Sequence, residues 1–184
     1  METLRMAKPL QSSATARRLI LVDIENFNGL PVQSSKQAEW CKAMLTNWLD
    51  IKEGEIVVVA VDGSGILAVN AAWTGVRLCM GKGEDGADLV LIEEIKRMNP
   101  GRFTEIALVS GDGIFAESVA RAAALGLPTK VYSHRSQLSK RLQLAATEVH
   151  LSQDFFVNND AVAADATAVE DNVIQLYPHI KETA

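Results

Sequence analysis

Cysteine is nearly absent from this chain: Cys41 and Cys79 are the only two among 184 residues. Two cysteines make neither a disulfide framework nor, by themselves, a zinc site. They read as reduced thiols packed near the core of a cytoplasmic protein. Long apolar runs are missing as well. Stretches such as Ile56–Val61 and Leu89–Ile92 fall far short of the roughly 20 residues a membrane helix needs, so no membrane partner is expected. Positive charge is not in excess. The formal net charge of −5 excludes a uniformly basic nucleic-acid binder while leaving room for a local basic patch. The N-terminus lacks the apolar core of a secretory signal peptide. What is present is 48% hydrophobic and 22% charged, too apolar for a disordered chain. The length suits one domain with a tail.

Charge is spread unevenly along the chain. In residues 1–18, Arg5, Lys8, Arg17 and Arg18 face only Glu2. Pro9, Ser12 and Ser13 interrupt any period there, so the segment reads as a flexible basic arm in preference to a short organelle transit peptide. Residues 157–184 set Asp160, Asp165, Glu170, Asp171 and Glu182 against Lys181 and read as an acidic tail. Residues 19–156 between them form the domain.

Within that domain, strand and helix patterns alternate. Leu19–Ile24 and Ile56–Val61 are continuous apolar runs, the mark of strands buried on both faces of a parallel sheet. Val76–Met80, Glu105–Val109, Lys130–Tyr132 and Glu148–Leu151 continue the series. Helical spacing falls between them: Ala38, Met44, Leu45 and Trp48; Ile66, Val69, Ala72 and Trp73; Leu89, Ile92 and Ile95; Phe115, Val119 and Ala122, closed by Gly126 before Pro128; and Leu138, Leu142 and Ala145 after a candidate cap at Ser136. The order predicts an α/β fold, a three-layer α/β/α sandwich on a mostly parallel, Rossmann-like sheet. Strand one then lies beside strand four, and ligands bind where their carboxyl ends meet.

Those two ends carry the chemistry-bearing residues. Strand one runs into Val22-Asp23-Ile24-Glu25-Asn26. Strand four runs into Val109-Ser110-Gly111-Asp112-Gly113. An unpaired carboxylate at Asp23 would be costly at the end of a buried strand, although it also suits a cap for the following turn. Asp112 between two glycines suits a tight turn. Brought to one switch point, the two acids repel unless a cation lies between them, and hard oxygen donors favour Mg²⁺ or Mn²⁺. A third acid comes from Gly81-Lys82-Gly83-Glu84-Asp85-Gly86-Ala87-Asp88. There Asp85 suits a helix cap, and Asp88 points either along the helix dipole or toward Asp23 and Asp112.

The segments Leu21–Asn26, Lys82 with Gly86-Ala87-Asp88, and Leu108–Phe115 together resemble the NYN domain of the PIN-like nuclease superfamily. The resemblance covers roughly residues 18–152, and its most specific piece is the Ser-Gly-Asp-Gly-x-Phe turn. It implies a metal-dependent endoribonuclease with a three-layer fold. Asp23, Asp88 and Asp112 would hold Mg²⁺ or Mn²⁺, Asn26 would assist the first motif and Ser110 would position the turn. RNA is the implied partner; a homo-oligomer stays open. One departure stands out: the family's Ser-Gly-Asp-x-Asp-Phe carries an acid where this chain has Ile114. Three carboxylates hold less negative charge than four, which points to one metal, weak binding or a non-catalytic RNA-binding relic.

A basic flank belongs to the same reading. Lys82 lies in the segment that carries Asp88. His134, Arg135, Lys140 and Arg141 follow strand five, the neighbour of strand four, and would hold backbone phosphates; solvated residues at a helix start are the alternative. His150 and His179 have no companion. Asp62-Gly63-Ser64-Gly65 lacks the spacing of a phosphate loop and reads as a turn with Ser64 capping the next helix. Trp40, Trp48 and Trp73 read as helix-packing residues, with base stacking the alternative for one of them. Two rival functions remain: a silent module binding RNA or protein, and a haloacid-dehalogenase-like phosphatase. The latter needs Asp-x-Asp where this chain has Asp23-Ile24-Glu25.

Overall fold

The computed structural model describes residues 17–155 apart from residue 84. Every residue of β1 (Leu19–Asp23) is buried, as are all but the first of β2 (Ile56–Val61) and all of β4 (Ile106–Val109). β-Branched and aliphatic runs with no polar alternation can be satisfied only with helices on both faces. The shorter β3 (Arg77–Met80) and β6 (Glu148–Leu151) are more exposed, as edge strands are. With β5 (Thr129–Ser133) they make one six-stranded sheet in the order β3-β2-β1-β4-β5-β6. Every pair in it is parallel.

The helices divide between the two faces. α2 (Ser35–Trp48) and α3 (Ile66–Ala72) pack Ala38, Cys41, Leu45, Val69 and Trp73 onto Ile20, Val22, Val57, Val59 and Val61. α4 (Gly86–Arg97), α5 (Ala116–Ala124) and α6 (Lys140–Ala145) pack Leu91, Ile95, Val119 and Leu142 onto Leu19, Leu21, Val58 and Leu108. Alternate residues of each strand thus serve opposite cores, and each fully buried aliphatic side chain contributes about 1.5–3 kcal/mol. The fold is three-layer α/β/α. Its connections run from β1 outward to β3 on one side and from β4 outward to β6 on the other. The crevice between the carboxyl ends of β1 and β4 is therefore the switch point.

Several local expectations need correction. Strand one stops at Asp23, because Ile24–Asn28 form a short helix, α1. Strand three begins at Arg77, one residue later than expected. The cap of α6 is Ser139, not Ser136: its hydroxyl accepts from the Leu142 N–H. Ser64 caps nothing; Asp62 Oδ1 organises that turn instead, accepting from the Ser64 and Gly65 N–H groups. Arg18 belongs to the folded body. Its guanidinium forks onto Glu55 and donates to the Leu49 and Asp50 carbonyls at 3.0 and 3.1 Å. Arg17 is described too, its carbonyl accepting from the Thr104 N–H at 3.0 Å; residues 1–16 of the expected basic arm and the whole acidic tail, 157–184, lie outside the described residues. No helix among the described residues is long and apolar enough to cross a membrane.

Candidate active site

Strand register brings the first two motifs together. Val22 stands opposite Val109 in the β1–β4 ladder, so Asp23 and Ser110 leave the sheet side by side. The Ser110 hydroxyl donates to Asp23 Oδ2 at 3.0 Å, and the Asn26 N–H donates to Asp23 Oδ1 at 3.1 Å. Asp23 therefore caps α1 and is also a carboxylate only 5% exposed. Asn26 reaches across the crevice, where its Oδ1 accepts from the Gly111 N–H at 2.9 Å. Ser110 Oγ accepts in turn from the Asp112 N–H at 3.2 Å. Asp23, Asn26, Ser110 and the turn after β4 are thus one hydrogen-bonded unit.

Asp112 is exposed, and its Oδ1 accepts from the Ile114 N–H at 2.9 Å. The glycines flanking it answer to crowding, since neither has the positive φ a glycine turn would require. A Cβ on Gly111 would stand 2.4 Å from the Gln137 carbonyl oxygen, and one on Gly113 would stand 2.6 Å from Ser139 Oγ. The segment before α6 is docked directly on this turn, with the Ser139 N–H donating to the Gly111 carbonyl at 2.8 Å. Ile114 is half-buried and packs against the core under α4 and α5.

Asp88 arrives from the third crossover. Gly81, just past β3, touches the start of α4 so closely that a Cβ there would lie 2.1 Å from the Ala87 nitrogen. That contact seats the first turn of α4 at the sheet rim. From it, the Asp88 carboxyl makes a hydrogen bond with Asp23. Burial raises Asp23 above its ordinary value, against the hydrogen bonds from Asn26, Ser110 and Asp88; the charge of Asp112 adds to the rise. Asp88 is pushed up to about 7. Burial is the first cause, followed by the Asp23 charge, the shared hydrogen bond, and the charges of Asp112 and Asp85. The shared interaction works in opposite directions on the two groups, lowering Asp23 and raising Asp88. Asp85 adds charge but no cap: it sits at φ 57°, left-handed, with no side-chain bond to the helix.

Sequence reasoning missed Glu25 as a member of this cluster. Its Oε1 accepts from the Asp62 N–H at 2.9 Å, tying the end of β1 to the end of β2. Burial raises its pKa, and the neighbouring Asp62 and Asp23 charges raise it further. The available signal was its place directly after the strand-one aspartate.

The basic residues divide into two groups. Arg135, Lys140, Arg141 and Lys82 are exposed. Lys140 and Arg141 directly follow Ser139, which packs on the Asp112 turn, and Lys82 lies between Gly81 and α4. His134 has a different task. Its Nε2 lies 3.0 Å from the Phe27 carbonyl, and its Nδ1 lies 2.6 Å from Ser152 Oγ. A carbonyl only accepts, so Nε2 carries the hydrogen. Both nitrogens are engaged within the fold, which corrects the expectation of a phosphate contact there.

The donor chemistry suits a hard divalent cation: every acid offers oxygen, and the carboxylates bear on one another across the crevice. In arrangement, no three or more His, Cys, Asp or Glu side chains among the described residues are set to hold a metal ion. The closed part of the cluster is buried Asp23 with Asp88 beside it, while the Asp112 carboxylate is bonded into its own turn.

No family model matches the chain, and no curated protein matches it. Among solved structures, the chain is similar to a protein of unknown function from Vibrio parahaemolyticus. The two are 19% identical with a TM-score of 0.55, over 79% of this chain and 98% of that one. At that identity the likeness is one of fold: the three-layer α/β/α architecture is shared across nearly the whole of that protein.

Proposed function

We propose that this chain is a metal-dependent endoribonuclease that hydrolyses RNA phosphodiester bonds at Asp23, Asp88 and Asp112. The observation that carries the reading is their convergence at the switch point, where burial first, and the Asp23 and Asp112 charges after it, push Asp88 up to about 7. The resemblance to NYN domains supplies the reaction class. Asp23, Asp88 and Asp112 would hold Mg²⁺ or Mn²⁺, which when bound lowers the pKa of its water and neutralises phosphate charge. Asp88 would have to be ionised to act as a ligand. Ser110 and Asn26 keep Asp23 and the Asp112 turn in register. Lys82, Arg135, Lys140 and Arg141 attract the phosphate backbone beside the acids.

Ile114 favours a second reading. It packs on the core where an additional acid would extend the site, as suits a silent module that binds RNA or a protein. Incubation with a mixed RNA pool separates the two. Cleavage is expected with Mn²⁺ and none in EDTA. Cleavage persisting in excess EDTA removes the metal mechanism, and retained Mn²⁺ binding without cleavage favours the silent module. Hydrolysis of a simple aryl phosphate, without action on RNA, would favour the phosphatase.

A further inference from the structure

The two faces of the sheet are not covered alike. α4, α5 and α6 pack on one face, while the other carries α2 and α3. Those two helices follow β1 and β2, on one half of the sheet. Toward β5 and β6, the end of α2 gives way to a groove of about 410 Å³, lined among others by Trp48, Tyr132, His150, Leu151, Asp154 and Phe155. Its walls are aromatic. Tyr132 stacks on His150 at 4.5 Å and stands edge-on to Trp48 at 5.3 Å, and Phe155 lies 6.3 Å from Trp48. Trp48, His150, Leu151 and Phe155 are only half-buried. β6 is the last strand of the sheet, with no strand on its outer edge among the described residues.

We propose that this groove is the docking site of the chain's own residues 173–180, Val173-Ile174-Gln175-Leu176-Tyr177-Pro178-His179-Ile180. The described chain ends at Phe155, on the groove wall, and residues 156–184 continue from there. Residues 157–172 hold no apolar side chain larger than valine and carry Asp160, Asp165, Glu170 and Asp171. Large apolar side chains then gather at Ile174, Leu176, Tyr177 and Ile180. An extended chain gains about 3.3 Å per residue, so residues 157–172 have ample length to return that cluster to a groove beside their own starting point. A short tether holds it there at a local concentration in about the millimolar range, which favours it over any free partner. Aromatic walls also suit Tyr177 and Pro178, since proline docks in aromatic-lined grooves at little entropic cost. The contact is independent of the cleavage chemistry at the acidic rim.

Hydrogen–deuterium exchange of the full chain tests the contact. Peptides covering residues 173–180 should exchange at least about tenfold more slowly than an unprotected chain, and equally slowly after tenfold dilution. His150→Asp places a charge among the aromatic walls and should abolish that protection. Leu176→Asp with Ile180→Asp should abolish it from the other side and speed exchange in β6. This second variant lies outside the folded body and carries the test if thermal melting shows His150→Asp to be unfolded. Exchange of 173–180 at the unprotected rate in the wild type overturns the proposal. So does protection that persists in a folded His150→Asp protein, which would seat the segment elsewhere, and so does β6 exchange unchanged in the Leu176→Asp, Ile180→Asp variant. Protection that disappears on dilution, with a dimer seen in sedimentation, also overturns it and gives the groove to a second copy.

Discussion

At their amino ends, the strands of this sheet start among paired charges; at their carboxyl ends, β1 and β4 finish among like ones. Arg18, just before β1, forks onto Glu55 before β2 and lies 3.9 Å from Glu105 before β4. Lys130 of β5 bridges Glu105 at 3.1 Å and Glu148 of β6 at 3.7 Å. At the other rim, Asp23, Asp88 and Asp112 bear on one another without a basic side chain bonded to any of them among the described residues. The pKa directions record the contrast. Burial alone would raise Glu55, but the Arg18 hydrogen bond, the Lys52 N–H and the guanidinium charge bring it below its ordinary value. Asp23 and Asp88 both go up. One rim has settled its electrostatics and acts as scaffold. The other keeps an unrelieved repulsion, and such perturbed groups in a crevice mark functional sites.

The largest expected effect comes from removing charge at the acidic rim. Asp112→Asn keeps the size of the side chain and an oxygen for the Ile114 N–H. RNA cleavage in Mn²⁺ should fall by at least about 100-fold, as for loss of a main electrostatic element. The melting temperature should hold or rise, since a like charge is gone. A variant that loses stability while its folded fraction stays fully active would make Asp112 part of the scaffold instead.

Breaking the paired rim should do the opposite. Arg18→Ala strands Glu55, whose side chain is only 10% exposed, and leaves Glu105 with Lys130 as its one cation. It also removes the donors to two carbonyls. A loss on the order of 2–3 kcal/mol in chemical denaturation is expected, while per-molecule RNA cleavage by the folded protein stays unchanged. Wild-type stability would show that the network contributes nothing.

The two rims should also differ in sign against pH. Folded Asp88 titrates near 7 and its ordinary value is 3.8, so between those values the folded state binds more protons than the unfolded one. Its contribution to stability is therefore lost as pH rises through that window. In chelator, Asp88→Asn should melt like wild type near pH 4 and higher than wild type above pH 7. Glu55 runs the other way. Its folded pKa is depressed, so its contribution is present above the ordinary value of 4.5 and lost as pH falls through the folded value. Glu55→Gln should therefore cost stability at pH 7 and little in strong acid. Parallel pH profiles for the two variants would dissolve the distinction.

The smallest effect concerns the exposed cations that flank the acidic rim. Arg135→Ala with Arg141→Ala should weaken RNA binding and flatten its salt dependence. The log–log slope should drop by about 0.7 for each single-strand phosphate that these arginines neutralise. An unchanged slope assigns both residues to solvent.

Much of this was legible without coordinates, because it depends on local pattern. Continuous apolar runs separated by helical spacing imply buried parallel strands with helices on both faces. That order alone places the ends of β1 and β4 at a shared crevice, which is why Asp23, Ser110 and Asp112 stood out. Positions that answer to distant neighbours were not legible. Ser136 is the candidate cap by sequence, yet Ser139 caps α6 and donates its N–H to the Gly111 carbonyl. His134 looked like a free basic residue, but it is held by Phe27 and Ser152, 107 and 18 positions away in the chain.

The sequence by itself determined the layers, the direction of the sheet and the three aspartates at the switch point, since burial period and residue type are local properties of the chain. The tertiary structure alone decided that Glu25 joins those acids, which glycines are forced by crowding, and which of three tryptophans faces solvent. Each of those depends on charges and atoms that are neighbours in space while remaining far apart in the chain, and no spacing rule contains that distance.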